Sequence, residues 1–182
     1  MLWRIHRADR GALWFGPAAG SEPASRFDDP LRARTDGTAT FGVCYVGASR
    51  EAAFAETFLR RPAAASIDRA TIDARQLSTI TTTRPFRIAA LLGPGLKAAG
   101  ATAAVPHGPH SVARLWARAV WEHPDAVDGL AYRCRHDDEE VALALFDRSV
   151  NALELVESRG LRADRRWFGA TLDRYLLALD PP

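Results

Sequence analysis

Apolar and polar residues alternate in short runs along much of the chain, a pattern typical of β-strands. The clearest case is a pair of runs at residues 130–135 and 141–146, separated by the acidic stretch 137–140, which predicts a hairpin. Residues 40–46 form another strong strand candidate, with Phe41, Val43 and Tyr45 on one side. Shorter strands are predicted at residues 2–5, 13–15, 76–82 and 86–91.

Three segments instead show the spacing of amphipathic helices. Ser49 is a favourable N-cap for a helix that runs to about Arg61, where Pro62 would end it. A second helix is predicted over 111–123 and a third over about 164–177. The second has a stripe that we expect to be buried, comprising Val112, Leu115, Trp116, Ala119 and Val120.

This order of elements predicts an α+β fold with a mixed sheet and flanking helices. The chain of 182 residues contains no repeat and no linker, so we expect a single domain over 1–182, with a helical tail from about 151. Residues 16–39 are rich in glycine and proline and predict a long loop, and loops of this length are usually functional or disordered.

Composition excludes several classes of protein. The net charge is only +2 and no long basic run occurs, which argues against direct nucleic-acid binding. No apolar run approaches the ~20 residues that cross a bilayer, and no signal peptide is visible, so a cytoplasmic protein is expected. Cys44 and Cys134 predict two free thiols, and no metal-binding motif accompanies them, so no metal is predicted.

Four polar residues are candidates for chemistry, each with a structural alternative. Glu56 lies among apolar neighbours and is either on a solvated helix face or in a site. Ser111 is either a helix N-cap or a ligand for an anion at a helix N-terminus. Arg4, between Trp3 and Ile5 in a strand, and Arg26, in the long loop, would each meet either a carboxylate or a phosphate.

Taken in order, these residues resemble the RES-domain family, named for an arginine, a glutamate and a serine. The similar segments are Trp3-Arg4-Ile5, Ser25-Arg26-Phe27-Asp28, Cys44-Tyr45-Val46-Gly47-Ala48-Ser49 with Glu56, His110-Ser111-Val112, and the hairpin from Asp128 to Asp147. The resemblance covers about residues 2–150. It departs from the family pattern where Ala24 and Ser25 replace two glycines before Arg26.

The resemblance implies a fold like that of the ADP-ribosyltransferase toxins and an enzyme that consumes NAD. The reaction would be hydrolysis, phosphorolysis or ADP-ribosyl transfer, with NAD as substrate and no prosthetic group. Glu56, Arg26 and Ser111 would be catalytic, and Arg4, Arg26, Tyr45 and Ser111 would bind NAD. The implied partner is an Xre-type helix-turn-helix antitoxin. The alternative is a non-catalytic module that binds a nucleotide or a partner on the same fold.

Overall fold

The computed structural model describes residues 1–16, 20–60 and 63–180. In these residues the strands are β1 (Leu2–Arg7), β2 (Val43–Gly47), β3 (Ser66–Ile67), β4 (Arg75–Thr82), β5 (Ile88–Ala90), β6 (Gly129–Cys134), β7 (Asp137–Phe146), β8 (Leu153–Gly160) and β9 (Ala178–Leu179). The helices are α1 (Arg50–Phe58), α2 (Arg69–Asp73), α3 (Pro94–Ala98), α4 (Ala104–His107), α5 (His110–Glu122) and α6 (Arg165–Arg174). Of the described helices, none has the length and apolar character needed to cross a membrane.

Seven strands form one sheet in the order β5-β6-β7-β2-β1-β4-β8. β5 runs parallel to β6, and the other neighbours in this sheet are antiparallel. β3 and β9 form a separate parallel pair. The mixed sheet with packed helices confirms the α+β class.

The predicted hairpin is confirmed, but its turn lies elsewhere. β6 and β7 pair as far as Cys134 and Asp137, which leaves only Arg135 and His136 at the turn. The acidic stretch 137–140 therefore belongs to β7 and not to the connection. This places a cationic residue and a histidine at the tip of the hairpin.

Two other expectations are corrected. Residues 13–15 do not form a strand, because the Trp14 carbonyl accepts a hydrogen bond from the Arg4 side chain instead of from a neighbouring strand. The expected helical tail from about 151 is also wrong at its start, because residues 153–160 form β8, an edge strand whose residues are mostly exposed and whose apolar alternation is lost. The predicted end of α1 at Arg61 and Pro62 lies outside the described residues.

The buried face of α5 also differs from the predicted stripe. Ala113 and Ala117 are the fully buried residues of this helix, because their small side chains let it approach the sheet closely. Val112 and Leu115 are 42% and 63% exposed. Trp116 and Val120 pack at the margin of the core, so that only part of the predicted stripe is correct.

Helix α1 packs tightly on the sheet and carries Glu56 toward its own C-terminal end. Ser49 caps the helix as predicted, and its Oγ accepts a hydrogen bond of 2.8 Å from Ala52 N. Gly47 permits the close approach, since a Cβ there would lie 2.6 Å from Ala53 N. Buried alanines at 52 and 53 leave room for the helix to lie directly on β2.

Candidate active site

A cleft opens between α1, the hairpin and the long loop, and it encloses about 790 Å³ of space with its open mouth included. Its lining combines one glutamate with several cationic and aromatic side chains. The residues that line it are Ala24, Ser25, Arg26, Tyr45, Glu56, Arg60, Pro106, His110, Tyr132, Arg135 and His136. We refer to it as the basic cleft.

The carboxylate of Glu56 is held in place from the sheet. The Tyr132 hydroxyl donates a hydrogen bond of 3.0 Å to Glu56 Oε2. Cys134 lies two residues further along β6, on the same face of the strand, and Glu56 adds to burial in raising the pKa of its thiol. The glutamate is half-buried, so its negative charge is fixed in position yet open to a ligand.

Both tyrosines of the basic cleft remain protonated at neutral pH. Burial raises the pKa of Tyr132 well above its usual value, and the neighbouring Glu56 raises it further. Burial likewise raises the pKa of Tyr45, with Asp28 as the next cause. Their hydroxyls therefore serve as hydrogen-bond donors to the two carboxylates.

Asp28 fixes the loop that carries Arg26. Its Oδ2 accepts hydrogen bonds from the backbone of Ala24 (2.9 Å) and Ser25 (2.7 Å), while its Oδ1 accepts one from the Tyr45 hydroxyl (3.2 Å). From α5, Arg114 donates to the Ser25 carbonyl at 3.1 Å. The loop is therefore tied to both β2 and α5 even without the two family glycines.

Arg26 projects from this loop into the cleft. Its Nη1 donates a hydrogen bond of 2.6 Å to the Gly108 carbonyl, which fixes the direction of the guanidinium. Burial lowers the pKa of Arg26, and the charge of Arg135 lowers it further. An anion placed near these two arginines would relieve that repulsion.

The histidines near the cleft are neutral at pH 7. Burial lowers the pKa values of His107, His110 and His136 from the usual 6.5, and nearby arginines lower them further. They can thus donate or accept hydrogen bonds, but they add no charge. The positive charge of the basic cleft comes from its arginines.

The structure brings three of the predicted site residues together: Arg26, Tyr45 and Glu56. Ser111 is exposed and does not line the cleft, although its neighbour His110 does. The interpretation of Ser111 as an N-cap is wrong, since Pro109 occupies that position and makes no side-chain cap. A catalytic role for Ser111 stays a prediction.

The structure places the side chain of Arg4 outside the basic cleft, against the expectation that it binds NAD there. Arg4 Nη1 donates hydrogen bonds to the carbonyls of Ala12 and Trp14, both at 2.8 Å, and to Cys44 Sγ at 2.7 Å. Cys44 and Tyr45 point to opposite faces of β2, so Arg4 lies on the far side of the sheet from the cleft. Its partners are two backbone carbonyls and one thiol, which neither sequence interpretation included.

Several cleft residues were not singled out as site candidates from the sequence: Arg60, Tyr132, Arg135 and His136. The hairpin itself contained a usable signal, because Tyr132 and Cys134 share one strand face with small apolar neighbours. A tyrosine that points into a protein interior normally finds a partner for its hydroxyl. That partner, Glu56, is 76 residues away in the chain, and only the fold reveals it.

The described residues contain no cluster of three or more histidine, cysteine or acidic side chains suited to a metal ion. The basic cleft offers cations and tyrosine hydroxyls around one carboxylate. Such an arrangement can bind a phosphorylated ligand and place a fixed negative charge beside it.

Comparison with known proteins identifies a family and a similar fold. The family model described as RES domain matches residues 1–167. Among solved structures, the crystal structure of the M. tuberculosis MbcT–MbcA toxin–antitoxin complex contains a chain with a similar fold. The TM-score is 0.64 with 21% sequence identity, over 87% of this chain and 81% of that chain. No protein of curated function matches the sequence.

Proposed function

Because the chain belongs to the RES-domain family, we propose that it is an enzyme that cleaves the bond between nicotinamide and ribose in NAD. The observation that carries this proposal is the pairing of Glu56 with Tyr132 inside a cleft whose other charged residues are arginines. The arginines suit the negative diphosphate of the substrate, and the fixed carboxylate suits the positive charge that develops at a sugar carbon. No other function is favoured by a specific contact.

The proposed step is a heterolytic cleavage. The bond from ribose C1 to the pyridinium nitrogen breaks, and its electron pair neutralises the nitrogen, so that nicotinamide leaves uncharged. The sugar gains oxocarbenium character, which the Glu56 carboxylate stabilises. An acceptor then forms a bond to C1: water or a protein side chain releases its proton to solvent in doing so, whereas inorganic phosphate bonds through one of its anionic oxygens. We expect degradation of free NAD, with water or phosphate as the acceptor, ahead of ADP-ribosyl transfer to a protein.

The other residues bind and orient. Arg26 is fixed by Gly108 and offers its planar guanidinium to the diphosphate, a geometry for which arginine is better suited than lysine. Tyr132 holds the carboxylate of Glu56 in one direction. Tyr45 forms part of the wall and positions the Arg26 loop through Asp28. NAD is the substrate in this scheme, and no prosthetic group takes part.

A direct test measures free nicotinamide released from NAD by the purified chain. Release that rises with added inorganic phosphate indicates phosphorolysis, whereas release that is independent of phosphate indicates hydrolysis or transfer to protein. The absence of release under every condition, from protein that is folded, would favour the non-catalytic binding module and contradict the proposal.

The biological setting is proposed by analogy with the similar structure, which is a complex of a toxin with its antitoxin. We propose that this chain is the toxin of such a pair, acts on cytoplasmic NAD, and is neutralised by an Xre-type helix-turn-helix antitoxin. The test is co-expression with a helix-turn-helix protein encoded beside it. Formation of a stable complex that blocks nicotinamide release supports the pairing, and a complex with full activity contradicts it.

A further inference from the structure

A second groove opens next to the basic cleft, and His136 lines both of them. Apart from this histidine its lining in the described residues is aliphatic and aromatic, and it encloses about 580 Å³ with its open mouth included. The lining residues are Phe58, Leu59, Ala64, Ile67, Tyr175 and Leu177. We refer to it as the apolar groove.

The aromatic walls of the apolar groove are held by contacts behind them. The rings of Phe54 and Phe58 lie 4.8 Å apart, and the ring of Tyr175 stacks on Phe54 at 5.6 Å. The Tyr175 hydroxyl donates a hydrogen bond of 2.7 Å to Asp137 Oδ2. A flat ligand would therefore meet a surface whose shape is already fixed before binding.

Arg135 lies beside the boundary between the basic cleft and the apolar groove. His136 and Arg135 form the turn of the β6–β7 hairpin, and Arg135 faces the basic cleft. Neither Arg26 nor Arg135 forms a salt bridge with an acidic residue in the described part of the chain. Two arginines without carboxylate partners, next to each other in a cleft, are suited to an anion held between them.

We propose that the apolar groove binds the adenosine half of NAD, and that Arg135 and Arg26 bind the diphosphate between the two halves. This inference rests on the proposed function, since it assigns the second half of the same substrate. NAD consists of two nucleosides joined by a diphosphate, so its binding site needs a second compartment beyond a cationic one. The apolar groove has that position, and its aromatic and aliphatic walls suit a purine ring.

Two consequences distinguish this assignment from a substrate held only in the basic cleft. The chain binds AMP without any nicotinamide present, and it binds AMP more tightly than ribose 5-phosphate, which lacks the purine. It also prefers NAD to nicotinamide mononucleotide, because the mononucleotide contains the scissile bond but leaves the apolar groove empty.

Two neighbouring alanines provide a matched pair of variants. Ala64 lines the apolar groove and Ala65 does not, and both are exposed, so a glutamate at either position leaves the core intact. Ala64→Glu places a charged side chain in the groove. Ala65→Glu adds the same charge one residue away and controls for general repulsion of the phosphate.

The experiment measures AMP and ribose 5-phosphate binding to wild type and both variants by calorimetry, and nicotinamide release from NAD and from the mononucleotide. We expect Ala64→Glu to weaken AMP binding about tenfold or more, the size of one lost base-stacking contact, and to raise KM for NAD. Ala65→Glu should leave both the AMP affinity and KM for NAD unchanged.

Equal AMP affinity in the two variants, or no preference of wild type for AMP over ribose 5-phosphate, would overturn the assignment of the apolar groove. The two proposals can fail separately. If no nicotinamide is released but Ala64→Glu alone abolishes AMP binding, the groove is still an adenosine site and only the proposed reaction is wrong.

Discussion

The hydroxyl of Tyr132 lies 3.0 Å from Oε2 of Glu56, so that strand β6 holds the carboxylate presented by helix α1. Both residues come from elements that pack on the same core, and this packing fixes the separation of the two groups. A carboxylate held in this way cannot swing freely to solvent. Tyr132 is therefore a positioning residue for the proposed reaction.

Replacing Tyr132 with phenylalanine tests this role. We expect Tyr132→Phe to lower kcat for nicotinamide release by about tenfold, corresponding to loss of one hydrogen bond of ~1.4 kcal/mol, with little change in KM. Ser158→Ala is the matched control, because it removes a hydroxyl that bonds to Gln76 on β4 and lines neither the basic cleft nor the apolar groove. Equal kcat values for the two variants would contradict a positioning role for Tyr132.

Arg26 and its conservative variant test recognition of the diphosphate. Arg26→Ala should raise KM for NAD more than Arg26→Lys does, because lysine keeps the charge but cannot offer two parallel donors. Steady-state kinetics of nicotinamide release measure both. Identical KM values for wild type and the two variants would remove Arg26 from the binding site.

Replacing Arg4, unlike replacing Arg26, should lower stability and leave KM for NAD unchanged. Its replacement by methionine leaves the buried Ala12 carbonyl without this donor, which we expect to cost about 1–3 kcal/mol in the free energy of unfolding. KM for NAD should stay the same in the folded protein. Denaturant unfolding and kinetics measure the two effects, and a raised KM with unchanged stability would return Arg4 to the substrate site.

The chain's three tyrosines, at 45, 132 and 175, should all resist ionisation in the folded state. Burial is the main cause that raises each pKa above 10. A neighbouring acidic residue raises it further: Asp28 for Tyr45, Glu56 for Tyr132, and Asp137, through its hydrogen bond, for Tyr175. The unfolded chain binds fewer protons above pH 10, so stability from these groups is lost as the pH rises further.

Absorbance at the tyrosinate band measures this directly. The folded protein should show little tyrosinate at a pH just above 10, while the same protein in denaturant should titrate near 10. A native titration curve that overlays the denatured one would show that the tyrosines are more open to solvent than the structure indicates.

The sequence was a good guide where local patterns determine structure. Ser49 identified the start of α1, because a serine cap depends only on the next few residues. Glu56 and Arg26 were identified as site candidates because each was a charged residue in an unexpected local setting. Both line the basic cleft.

The sequence was a poor guide where residues far apart in the chain determine a side chain's partners and position. From the sequence, a phosphate and a carboxylate were equally plausible partners for Arg4. In the fold, its guanidinium instead donates to two backbone carbonyls. The sequence predicted Arg135 as the last residue of a strand and assigned no role to His136, and only the packing of the hairpin over α1 brings them to the cleft. Pairing across the sheet cannot be derived from the pattern of one segment.

The central claim is that the Glu56 carboxylate stabilises the breaking nicotinamide–ribose bond, and nicotinamide release by Glu56→Gln measures it most directly. Glutamine keeps the size of the side chain but removes its charge, so we expect release to fall by about 10²–10³-fold or more. Glu51→Gln, on the same helix but outside the basic cleft, should stay near the wild-type rate. Thermal unfolding of both variants confirms that the fold is intact. A folded Glu56→Gln protein that releases nicotinamide at the wild-type rate would contradict the account.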